Sequence, residues 1–153
     1  MATVSTLAPF KPKMAQLGSK LGISRNNVED YLLYLEKAGM IAQLKTGAHG
    51  LGALGKPDKV YLDNTNILYC LSDGSEDIGN VRETFFFNQT RVKNLVTTSS
   101  LADFLIDGMT FEVGGRSKGQ RQIRDAEKGY VVKDDIEYGY GNVIPLWMFG
   151  MTY

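Results

Sequence analysis

The stretch DFLIDGMTFEVGG, from Asp103 to Gly115, reads as two short strands joined at Asp107-Gly108, and the rest of the chain is best understood outward from it. Asp-Gly between apolar runs is a strong local signal for a hairpin. Side chains alternate along a strand, so Asp103, Leu105 and Asp107 share one face while Phe104 and Ile106 take the other. On the second strand Glu112 stands between Phe111 and Val113 and points away from both. The alternation predicts an Asp and a Glu meeting on adjacent strands. A third carboxylate, Glu83, stands near the start of RETFFFNQT, whose Phe86, Phe87 and Thr90 fall at helical spacing. That spacing predicts an acid leaning over the same sheet from the N-terminal turn of a helix.

Around the hairpin the pattern is that of an α/β (α+β) domain from Lys56 onward. VYLDN predicts a strand and TNILYCL a helix, followed by the Glu83 helix and a strand over Leu95 to Thr98. After the hairpin come a polar helix from about Ser117 to Lys128, a strand at Tyr130-Val131-Val132 and a last strand from Val143 to Phe149. Gly139, Gly141 and Asn142 predict a turn before that strand. Phe85, Phe86, Phe87, Trp147 and Phe149 are expected in packing rather than base stacking. Arg116, Lys118, Arg121 and Arg124 place four cations on or beside the polar helix. They form either a phosphate-binding edge near the carboxylates or a solvated face, since Asp125 and Glu127 interrupt them.

The N-terminal third has a different grammar. MAQLGSKL predicts a short helix, Gly22 breaks it, and Ser24 caps a longer helix whose stripe is Val28, Tyr31, Leu32 and Leu35. Gly39 ends that helix, and Met40 to Leu44 follow as a strand. Helix, turn, longer helix, strand is the order of a winged helix-turn-helix. In that fold Arg25, Asn26 and Asn27, near the start of the second helix, are the candidates for DNA contact. The helices between Met14 and Met40 balance three cations with three acids, which favours a packing role. GLGALGK, Gly50 to Lys56, matches a Gly-x-Gly-x-x-Gly pattern and most of a P-loop. Pro57 follows, however, with neither hydroxyl nor amide, and a strand pattern comes next. A glycine-rich wing or linker is expected there, with no nucleotide site, and His49 inside it has no sequence partner for zinc.

Composition bounds the function classes. The chain has 153 residues and zero net charge, yet residues 1 to 45 hold six cations against three acids, leaving the remainder at −3. One cysteine, Cys70, excludes an internal disulfide; its LYCL context predicts a buried thiol and a cytoplasmic setting. No apolar run approaches the ~18 residues of a membrane span, so no membrane partner is expected. The sequon Asn88-Gln89-Thr90 falls on a helix and reads as a chance match.

The words KPDKVYLDNTNILYCL, GNVRETFFFNQ, ADFLIDG, FEVGG, DDIEYGYGN and IPLWMFG, in this order, resemble the C-terminal region of bacterial AAA-family ATPases of the Bacteroidetes type. The resemblance implies a winged helix-turn-helix over 1–55 and a restriction-endonuclease-like mixed sheet with flanking helices over 56–153. It further implies an ATPase core upstream of Met1, and a regulatory or interaction module that binds DNA or a protein partner. Such a fold places metal ligands at Glu83, Asp103 and Glu112, which would hold magnesium or manganese through hard carboxylate oxygens. A nuclease of this kind also uses a lysine two residues after the second acid. Gly114 stands there instead, so the alternative of a magnesium-dependent nuclease requires the lysine to come from Lys118.

Overall fold

The computed structural model describes residues 8–47, 57–72 and 74–151, and the chain is mixed α/β as expected. It divides into two compact units, Met1–Ser75 and Glu76–Tyr153.

In the first unit, α1 (Met14–Leu21) buries Met14 and Leu17 and ends at Gly22, whose φ of 67° is the left-handed conformation glycine takes at low cost. Ser24 caps α2 (Arg25–Lys37): its hydroxyl accepts a 3.1 Å hydrogen bond from the Asn27 amide. Val28 and Leu32 are buried and Leu35 half-buried, but Tyr31 is exposed. The i, i+4, i+7 row meets α1 and the sheet, and a residue one step around the helix falls outside that contact. Gly39, with φ of 67°, closes α2 by donating 3.0 Å to the Glu36 carbonyl, and Met40 donates to that of Leu35.

β1 (Ile41–Leu44) pairs antiparallel with β2 (Lys59–Leu62), and Phe10 exchanges both backbone hydrogen bonds with Val60 on the far side of β2. The VYLDN strand expected to open the second domain lies in this sheet. It completes the first unit's sheet, and α3 (Thr65–Leu71), capped by Asn64, packs on β2. Cys70 on α3 is exposed rather than buried, because α3 turns Leu68 inward. The GLGALGK segment and His49 lie outside the described residues.

In the second unit, Asp77 caps α4 (Ile78–Thr90) through the Asn80 amide. The helix therefore begins five residues before Glu83, which stands in its second turn rather than its first. Phe86 is fully buried, with ring centroids 5.1 Å from Phe104, 5.4 Å from Phe111 and 4.7 Å from Phe149. Five strands follow: β3 (Val96–Thr97), β4 (Phe104–Ile106), β5 (Met109–Gly114), β6 (Gly129–Lys133) and β7 (Val143–Pro145). They lie side by side in chain order, the first three antiparallel and the last three parallel. The hairpin is the expected one, with Asp107 and Gly108 at φ of 49° and 77° between the Ile106↔Met109 pair.

Two expectations fail in this unit. Ser117 to Lys128 is a chain of turns, not a helix. Between Gly115 and Lys128 only Ile123 and Ala126 are apolar, so a helix there would have no stripe to bury. Ile123 is buried against Val131 and Val143 on the sheet, with Ala126 only partly buried beside it. The last strand stops at Pro145, which has no amide for a ladder, and the chain continues as a 3-10 helix over Leu146–Met151.

Candidate functional site

The strand registers decide where the acids go. Phe104 pairs with Phe111, so Asp103 arrives one position farther on, beside β5, where its Oδ2 accepts a 2.9 Å hydrogen bond from the Val113 amide. Glu112 pairs with Val131 and therefore lies on the face that Ile123 covers, opposite the Phe111 face packed by Phe86. That placement leaves Glu112 with no solvent exposure. Neither carboxylate oxygen accepts a well-directed hydrogen bond, and its counter-charge is the Lys118 ammonium, in contact with Oε1.

Lys118 reaches Glu112 by crossing Gly114. A Cβ built at Gly114 would come within 2.6 Å of Lys118 Cδ, 2.7 Å of Cγ and 2.9 Å of Cβ. Its aliphatic stem thus fills the space a side chain at 114 would occupy. The turn carrying it is held from both sides. Lys133 Nζ donates 3.2 Å to the Arg116 carbonyl, and the Lys118 amide donates 2.9 Å to that of Gly115. Arg82, beside Glu83 on α4, bridges Asp134 at 2.9 Å and Asp135 at 3.3 Å, with its guanidinium 3.1 to 3.4 Å from where a Cβ on Gly115 would stand.

Burial raises the Asp103 carboxyl from 3.8 to about 6, and repulsion from Glu83 and Glu112 adds to the effect. The Val113 amide and the Lys118 charge pull the other way and do not prevail. Asp103, Glu112 and Lys118 are therefore neighbours, with Glu83 near enough to act on Asp103. Among the described residues no group of three or more Asp, Glu, His or Cys side chains is spaced to hold a metal ion as it stands. Arg25, Asn26 and Asn27 lie exposed at the start of α2 in the other unit, with Arg25 donating 3.0 Å to Glu29. Comparisons with protein-family models, curated proteins and solved structures find no match to this chain. No helix among the described residues is long and apolar enough to cross a membrane.

Two functional features escaped the sequence reading. Gly114 read as a missing lysine, whereas its lack of a side chain is what admits Lys118. Arg82 was passed over, although the adjacent acids Asp134-Asp135 were a signal for a cationic partner. Two buried Glu112 oxygens thus accept no hydrogen bond, the Asp103 carboxyl lies beside them, and the Lys118 ammonium is drawn to their charge.

Proposed function

We propose that the unit Glu76–Tyr153 is a divalent-metal-dependent nuclease centre of the restriction-endonuclease-like type, cleaving phosphodiester bonds by water. The observation that carries this reading is the path of Lys118 across Gly114 to the buried Glu112. A fully buried, ion-paired carboxylate adds little to stability compared with an apolar residue of the same shape, so its presence asks for a function. The chain order β3-β4-β5-β6-β7, with acids on the hairpin and α4 alongside, supports the same fold reading.

In this reading Asp103 and Glu112 bind magnesium or manganese, with Glu83 as the further acid. The bound cation supplies Lewis-acid polarisation of the phosphoryl oxygen and lowers the pKa of water. Asp103, raised to about 6, is ionised at neutral pH and ready to coordinate. Lys118, relieved of part of its pairing with Glu112, donates a hydrogen bond to the attacking water and offsets the charge developing on phosphorus. Water oxygen would bond to phosphorus as the bond to the leaving sugar oxygen breaks, the attacking water giving a proton to solvent and the leaving oxygen taking one from solvent. Glycine at 114 is required because any side chain there would displace Lys118.

The test is cleavage of a labelled oligonucleotide in manganese by the parent chain, Lys118→Ala, and the relocated lysine, Gly114→Lys with Lys118→Ala. Activity in the parent, loss of at least a hundredfold in the single variant and recovery in the double one are expected. No cleavage by the parent in manganese or magnesium would sink the reading. A non-catalytic regulatory module of a AAA-family ATPase is favoured by one observation, that the three acids do not form one coordination group. It predicts that titration calorimetry finds no manganese binding lost in Asp103→Asn/Glu112→Gln.

A further inference from the structure

A cleft of about 620 Å³ lies along the turns that follow Lys118 and is lined by Gln120, Arg121, Ile123, Arg124, Glu127 and Asn142. Its charge is local. Residues 116–128 carry five cations against two acids, whereas the rest of the unit carries four cations against nine acids. Positive charge in this unit is thus concentrated along that segment, where a polyanion is attracted.

The cations of the unit also differ in commitment. Arg82 is held by Asp134 and Asp135, Lys118 by Glu112, and Lys133 by the Arg116 carbonyl. Arg121 and Arg124 are exposed, and among the described residues neither side chain makes an ion pair or hydrogen bond. Their three-residue spacing, on turns rather than a helix, lets both line one cleft. Its far edge is fixed, since Asn142 donates 3.0 Å to the Gly129 carbonyl and accepts 2.9 Å from Gln120. Ile123, buried against Val131 and Val143, anchors the floor between the two arginines. Planar guanidinium groups on an anchored turn suit phosphate, which they grip in pairs of hydrogen bonds.

We infer that Arg121 and Arg124 bind the sugar-phosphate backbone of a nucleic-acid strand, holding phosphates next to the one presented to Asp103, Glu112 and Lys118. The inference rests on the nuclease reading for the identity of the strand. The contacts go to backbone, so they position the strand without selecting its sequence.

The experiment measures fluorescence anisotropy of labelled DNA duplex and of RNA of the same sequence with the full chain in calcium, over a range of salt. Variants are Arg121→Gln/Arg124→Gln, its charge-keeping counterpart Arg121→Lys/Arg124→Lys, and Asp103→Asn/Glu112→Gln. The Gln pair is expected to weaken binding at least tenfold and to lower the salt slope by about 2, one per lost phosphate contact, with the Lys pair close to parent. Equal affinity and slope in parent and Gln pair, or no binding of either nucleic acid by the parent, overturns the inference. Failure of the nuclease reading looks different. Binding then persists through the arginines, and through the Asp103→Asn/Glu112→Gln variant, while no strand is cut.

Discussion

At the scale of single residues, the site is governed by two carboxyl groups treated in different ways. Asp103 keeps one backbone hydrogen bond and is pushed up to about 6 by burial first and by Glu83 next. In the unfolded chain it ionises near 3.8, so between that value and about 6 the folded state holds the extra proton. Stability must then fall as pH climbs through this window and stay lower above it, by on the order of 3 kcal/mol. Urea unfolding of Asp103→Asn is expected to lack that step and to leave the variant more stable than the parent at pH 8. Glu112 depends instead on Lys118. Lys118→Met strands a buried charge and is expected to cost about 3 kcal/mol or more, most of which Glu112→Gln should restore in the double variant. Equal unfolding midpoints for parent and Lys118→Met would remove the ion pair from the account.

At the scale of elements, local sequence chemistry and tertiary packing share control unevenly. The hairpin belongs to the first kind: Asp107 and Gly108 both take positive φ, and the turn fixes the register that brings Asp103 beside Glu112. Gly108→Ala is expected to cost about 1 kcal/mol and, through the register, to weaken manganese binding measured by calorimetry. The α4 helix belongs to the second kind. Phe86 sits at the centre of a group of rings from β4, β5 and the C-terminal 3-10 helix, so the helix is held by what it packs on. Phe86→Ala should destabilise by about 3 to 5 kcal/mol. An effect under 1 kcal/mol in urea unfolding would mean that this ring cluster is not the core of the unit.

At the scale of the whole molecule, a ligand that prefers the folded state stabilises it by mass action. Manganese at a hundred times its dissociation constant should add about 2.7 kcal/mol, a rise of roughly 15 °C in the unfolding temperature of a unit this size. The rise is expected in the parent and absent in Asp103→Asn/Glu112→Gln; equal shifts in both would place the metal elsewhere. Much of this architecture was legible beforehand. The cap at Ser24, the helix-ending glycines at 22 and 39, and the Asp107-Gly108 turn act within a few residues, so their chemistry is written locally. Period-two alternation placed Asp103 and Glu112 on neighbouring strands for the same reason. What the sequence could not settle depended on partners distant in the chain. β2 joined β1 because its backbone pairs antiparallel with a strand fourteen residues upstream, Ile41–Leu44 with Lys59–Leu62. Ser117–Lys128 stayed a chain of turns because one buried isoleucine suffices to pin a crossover but not to dock a helix. Lys118 crosses Gly114 to the charge of Glu112, which the fold buries completely, and the bare backbone of Gly114 makes room for its stem. Local codes determined the elements and the pairing of the acids; burial, which exists only once strands and turns have closed around a side chain, decided how Asp103 titrates and what answers Glu112.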